Sequence, residues 1–139
     1  MNNKQNFFTW VSSTLREGAW APLAVFGFYL VGLAIDLFDN FPYMDIPTHF
    51  MGGVAITYFF RAAIRNSQKF LGDIPALIQI VFAFTCTGTT IILWEFYENA
   101  FDYLFGTTMV RGMTDTIVDM AVGLMGALVL SVLYKQRRK

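Results

Sequence analysis

Hydrophobic residues in this chain run in long uncharged blocks, not in the mixed pattern of a water-soluble bundle. Residues 18–35, 46–60, 74–94 and 120–134 contain no Asp, Glu, Lys or Arg. A helix that crosses a bilayer needs roughly 20 predominantly apolar residues, so the first and third blocks qualify directly. The second and fourth reach that length once their acidic first turns are included. The pattern predicts an all-α integral membrane protein, a four-transmembrane-helix bundle in a single membrane domain 1–139. Its spans are expected near 18–38, 46–65, 74–98 and 114–134. A soluble bundle would need polar faces that these segments lack. The first block is too long for a signal-peptide core and reads as a retained span. Before it, Phe7, Phe8, Trp10 and Val11 with Lys4 and Arg16 suggest a short N-terminal amphipathic stretch lying on the membrane surface.

Composition supports the lipid setting. The chain has 139 residues, 55% hydrophobic and 17% aromatic, with a mean hydropathy of +0.48. Only 14% are charged, against about 25% in an average globular chain. No basic run interleaved with aromatics points to nucleic acid. Cys86 is the single cysteine and lies within an apolar block, which excludes a disulfide framework and favours a packed, inert thiol.

Charge is zero in sum but sorted along the chain. Lys4, Arg16, Arg61, Arg65, Lys69, Lys135, Arg137, Arg138 and Lys139 fall on one side of the predicted bundle, and only Arg111 on the other. The positive-inside rule makes the first side cytoplasmic, so both termini are expected inside. Asp36, Asp39, Asp45, Glu95, Glu98, Asp102, Asp115 and Asp119 belong to the outer half. Ionisable groups at membrane depth are costly and usually functional.

Spacing brings these acids together. Asp45 and His49 are four apart, as are Asp115 and Asp119, so each pair shares a helix face; Glu95 and Glu98 share one at a spacing of three. The second span begins outside, the third ends outside and the fourth begins outside. The three pairs therefore meet at one level. Several carboxylates in low dielectric need a compensating cation or shared protons. Carboxylates with one imidazole suit a divalent metal such as Mn, Zn, Fe or Mg. Asp45, His49, Glu95, Asp115 and Asp119 are the candidate ligands. Glu98 is the candidate general base, and Arg111 the candidate clamp for an anionic group. A proton-sharing or Arg111-paired structural network is the competing reading, and interfacial, solvated acids the blandest one. Asp115 could also simply cap the last helix.

Small and hydroxylated residues read as packing. Gly52, Gly53, Gly88, Gly123, Gly126 and Ala127 allow close helix approach within the bundle, or in a homodimer. Thr85, Thr87, Thr89 and Thr90 can bond back to their own helix.

Asp45-x-x-x-His49-Phe50, Trp94-Glu95-x-x-Glu98 and Asp115-Thr116-x-x-Asp119-Met120 with Gly126-Ala127 resemble the YjdF-like family of small bacterial inner-membrane proteins. More distantly, with Arg111, they resemble the VanZ-like family, from which Gly123 departs where an Asn is usual. The resemblance covers about residues 40–130. It implies a multi-pass protein of the bacterial inner membrane with a link to envelope lipids or peptidoglycan precursors. Three functions fit: a metal-assisted enzyme acting on an envelope lipid or lipid-linked headgroup, a cation- or proton-linked binder or transporter, and a structural subunit of an envelope complex. No nucleophile motif, phosphate loop or cofactor fingerprint chooses among them.

Overall fold

The structure, a computed structural model, describes residues 3–133. Tyr134 at the end of the expected fourth span and the basic group Lys135, Arg137, Arg138 and Lys139 lie outside the described residues, as does the side chain of Lys4. Among the described residues the chain is helical, without strands. Helix α1 spans Asn3–Gly18, α2 Trp20–Ala34, α3 Leu37–Asn40, α4 Asp45–Leu71, α5 Ala76–Phe105 and α6 Met113–Leu133, with a 3-10 turn at Pro42–Met44.

The helix boundaries have local causes. Pro22 has no N–H to offer the Gly18 carbonyl and crowds it, which bends a helix at that point. The axes of Asn6–Gly18 and Trp20–Ala34 accordingly differ by 54°. Asp36 adopts a left-handed conformation (φ 54°) and turns the chain out of α2. Pro47 sits in the first turn of α4, where its missing N–H is not needed. Gly72 (φ 82°) ends α4, and Gly106 (φ 67°) ends α5.

These boundaries correct four expectations. At 15 residues, α2 rises only about 22 Å, short of a hydrocarbon core of about 30 Å, so it is not a free-standing span over 18–38. The 54° bend makes α1 and α2 one broken element. Helix α4 continues past residue 65 to Leu71, about one and a half turns beyond the expected span. Helix α5 continues past Glu98 to Phe105, so the outer connection is only residues 106–112. Helices α5 and α6 are each long and apolar enough to cross a membrane, and α1 with α2 passes the same test as a bent pair. Helix α4 does not pass, because Thr48, His49, Thr57, Arg61 and Arg65 lie along it.

Those polar residues explain its place. Helix α4 packs against α1, α2, α5 and α6, and turns its polar side chains toward them. Thr57 and Thr87 are fully buried with their hydroxyl oxygens 3.0 Å apart, so that one donates to the other and the second donates to a carbonyl of its own helix. The outward faces of α2, α5 and α6 instead expose Leu, Ile, Val and Phe. The bundle is polar within and apolar without, the arrangement that lipid demands.

Helices α4 and α6 touch backbone to backbone. A Cβ on Gly53 would stand 1.9 Å from the Gly123 carbonyl oxygen, and one on Gly126 would stand 2.1 Å from that of Phe50. The small residues thus serve packing inside the bundle. At the end of the bundle that carries α1, expected to lie inside, Trp10 Nε1 donates to the Ala63 carbonyl at 2.9 Å and docks α1 on α4, leaving Phe7 and Phe8 exposed.

Candidate functional site

Close packing of α4 on α6 fixes the outer end of the bundle. Gly53 and Gly123 lie one turn inward from His49 and Asp119, so the contact draws those two side chains toward each other. His49 Nε2 stands 3.3 Å from Asp45 Oδ1 and 4.0 Å from Asp119 Oδ2. Across the ring, Nδ1 stands 3.8 Å from Glu95 Oε1. The imidazole therefore divides two acidic groups. Asp45, His49 and Asp119 form one, and His49, Glu95 and Glu98 the other; within each, the ligand atoms lie within 4.8 Å of one another. Three helices contribute.

Water is largely excluded. Glu95, Glu98 and Asp119 are 3%, 5% and 4% exposed. Glu98 Oε1 accepts a hydrogen bond from the Tyr29 hydroxyl at 3.0 Å. Glu95 Oε1 is buried with no hydrogen-bond partner. A buried polar atom in that condition costs about 1–3 kcal/mol, and more if charged. Arg111 approaches from the outer loop, with NH1 3.8 Å from Asp45 Oδ2 and NH2 donating to the Phe38 carbonyl at 2.7 Å. It relieves Asp45 and leaves the Glu95 side without such help.

The remaining acids have other work. Asp115 does not join the ligand-distance groups; its carboxylate accepts from the Arg111 backbone N–H at 2.9 Å and closes the first turn of α6. Glu98, expected as a base standing apart from an ion, is itself at ligand distance from His49. Asp102 shares the helix but not the cluster. It accepts from Thr107 Oγ1 at 2.5 Å and from the Met109 and Val110 N–H groups at 2.9 and 2.8 Å, holding the outer loop.

Sequence reasoning passed over Tyr29. It is buried in an uncharged block, where a tyrosine ordinarily packs as an aromatic. The signal was its hydroxyl, which must find a partner when buried. Above the cluster lies a cavity of about 350 Å³ whose wall includes Tyr29, Asp36, Asp45, Glu98 and Arg111. Its polar lining forms a vestibule at the acidic end of the bundle.

A helical bundle with apolar outer faces and a buried acidic cluster is the architecture of a membrane protein. The chain belongs to the family described as "Predicted membrane protein (DUF2238)", which matches residues 7–139 and is the YjdF family. No curated protein and no solved structure matches the chain. The family match upholds the YjdF-like likeness, and the VanZ-like one gains no support from it.

Proposed function

We propose that the protein is a multi-pass protein of the bacterial cytoplasmic membrane that binds a divalent cation at its outer end and holds or acts on an envelope lipid headgroup there. Helix α4 serves as the fourth crossing element, sheathed by its neighbours, and the basic residues near both termini lie on the cytoplasmic side. Glu95 is the first ligand, joined by Glu98 and by His49 through Nδ1, while Asp45 and Asp119 stand at Nε2 on the other side of the ring and orient the imidazole. An oxygen- and imidazole-rich set of this kind suits Mn, Zn, Fe or Mg. Arg111 faces the vestibule from its rim and supplies an anion-binding fork for a phosphate or carboxylate head. The Tyr29 hydroxyl would orient the Glu98 carboxylate by donating to its Oε1.

The observation that carries this reading is the partnerless buried oxygen of Glu95 beside three further carboxylates. The test is elemental analysis of full-length protein purified in detergent, before and after loading with Mn, Zn or Mg. Wild type should hold near-stoichiometric metal, and Glu95→Gln and His49→Ala should hold none while still inserting. Wild-type protein that stays metal-free after loading would sink the cation site. The second reading, a proton-sharing network serving transport or assembly, would then take its place. It is favoured by the 3.0 Å Tyr29–Glu98 bond and the 3.3 Å His49–Asp45 approach, which let the cluster satisfy itself in part.

A further inference from the structure

Gly52 and Gly53 are neighbours with opposite surroundings. A Cβ on Gly53 would collide with the Gly123 carbonyl, whereas one on Gly52 would meet nothing within 4 Å. Glycine inside a helix costs about 0.5–1 kcal/mol relative to alanine. At Gly53 the contact with α6 offsets that cost. At Gly52 no packing contact does.

What Gly52 borders is empty space. A second cavity, of about 270 Å³, lies between α2, α4 and α5. It exists because α2 leans on α4 and reaches α5 through rings, not through backbone packing: Trp94 meets Tyr29 at 5.0 Å and Phe26 at 6.1 Å between centroids. Below those rings the wall is apolar, with Val25, Ile56 and Ile91 beside Gly52. At its outer end stand Thr48 and His49, and Tyr29 belongs to this cavity and to the polar vestibule alike. From His49 to Ile56 the slot descends about 10 Å along α4.

An apolar cavity of this kind does not hold water stably. In a membrane protein the surrounding solvent is hydrocarbon, and a slot that begins at a polar site and runs inward has the shape of an amphiphile. We propose that this slot takes one hydrocarbon chain of a membrane lipid, with Gly52 keeping it open and the headgroup presented to His49 and the acids. The headgroup half rests on the cation-site reading above; the chain half does not.

Full-length protein reconstituted in phosphatidylethanolamine and phosphatidylglycerol vesicles, doped with a phospholipid carrying a diazirine on one acyl chain, tests this directly. After illumination and peptide mapping, wild type should carry adducts on the inward residues Ile56 or Thr90 as well as on the outward residues Leu93 and Leu128. Gly52→Leu should lose the inward adducts and keep the outward ones, and Gly52→Ala should keep both. Thermal unfolding of Gly52→Leu should match wild type, since the new side chain enters open space. Inward adducts that persist in Gly52→Leu, or adducts confined to outward residues in wild type, would overturn the slot. Glu95→Gln separates the two ideas: it should lose bound metal and keep the inward adducts. Metal-free wild type with inward adducts would leave the slot standing and remove only the cation.

Discussion

The two ends of the bundle each gather a polar cluster, and the clusters are built on opposite plans. At the inner end Glu17 is met by partners: Arg65 donates to Oε1, Asn66 donates to Oε2 at 3.0 Å, and the Tyr58 hydroxyl donates to the Glu17 carbonyl at 3.4 Å. One acid faces one guanidinium and two neutral donors. At the outer end four carboxylates surround one imidazole, with Arg111 reaching a single member. The inner cluster closes on itself and ties α1 to α4. The outer one carries more carboxylates than its imidazole and Arg111 can neutralise. A membrane interior tolerates the first as architecture and the second only with something added.

The sharpest way to break this contrast is to neutralise one member of each. Glu95→Gln should weaken Mn binding by more than about 100-fold in calorimetric titration, beyond the loss usual for supporting residues. Equal binding in that variant would remove Glu95 from the ligand set. Tyr29→Phe removes a supporting donor instead of a ligand; affinity should fall about tenfold and stability by about 1 kcal/mol.

Smaller effects sharpen the inner side. Glu17→Gln should leave metal affinity unchanged and cost at most about 1 kcal/mol of stability in thermal unfolding. The ion pair is more than a third exposed, and water screens it. A change in metal affinity there would show that the two ends communicate. Smallest of all, Arg111→Ala should tighten cation binding by about twofold, because it removes a positive charge from a solvent-screened rim. Weaker binding would instead make Arg111 part of the site's scaffold through its bond to the Phe38 carbonyl.

Much of this was legible in residue spacing. Asp45 and His49, Glu95 and Glu98, and Asp119 are placed together by helix periodicity and by the alternating direction of the helices. What spacing could not resolve is depth. Asp115 shares a face with Asp119 but stands a full turn, about 5 Å, further out. At that height the backbone of a helix start competes for its carboxylate and wins. Arg61 shows the same blindness in reverse. Charge marked it as the end of an uncharged block, yet it is buried on a helix that continues for ten more residues. Hydropathy sees an arginine and not the neighbours that enclose it. Tyr29 escaped because its partner, Glu98, is 69 residues away.

Asp102 has a consequence beyond its own hydrogen bonds. By gripping Thr107, Met109 and Val110 it makes the loop that bears Arg111 an extension of α5. Fixing a residue's backbone costs about 1–2 kcal/mol at the moment it is fixed. Here that ordering is settled when the chain folds. A guest arriving at the vestibule meets a doorframe already hung, and keeps for its own binding the free energy that a loose loop would have consumed.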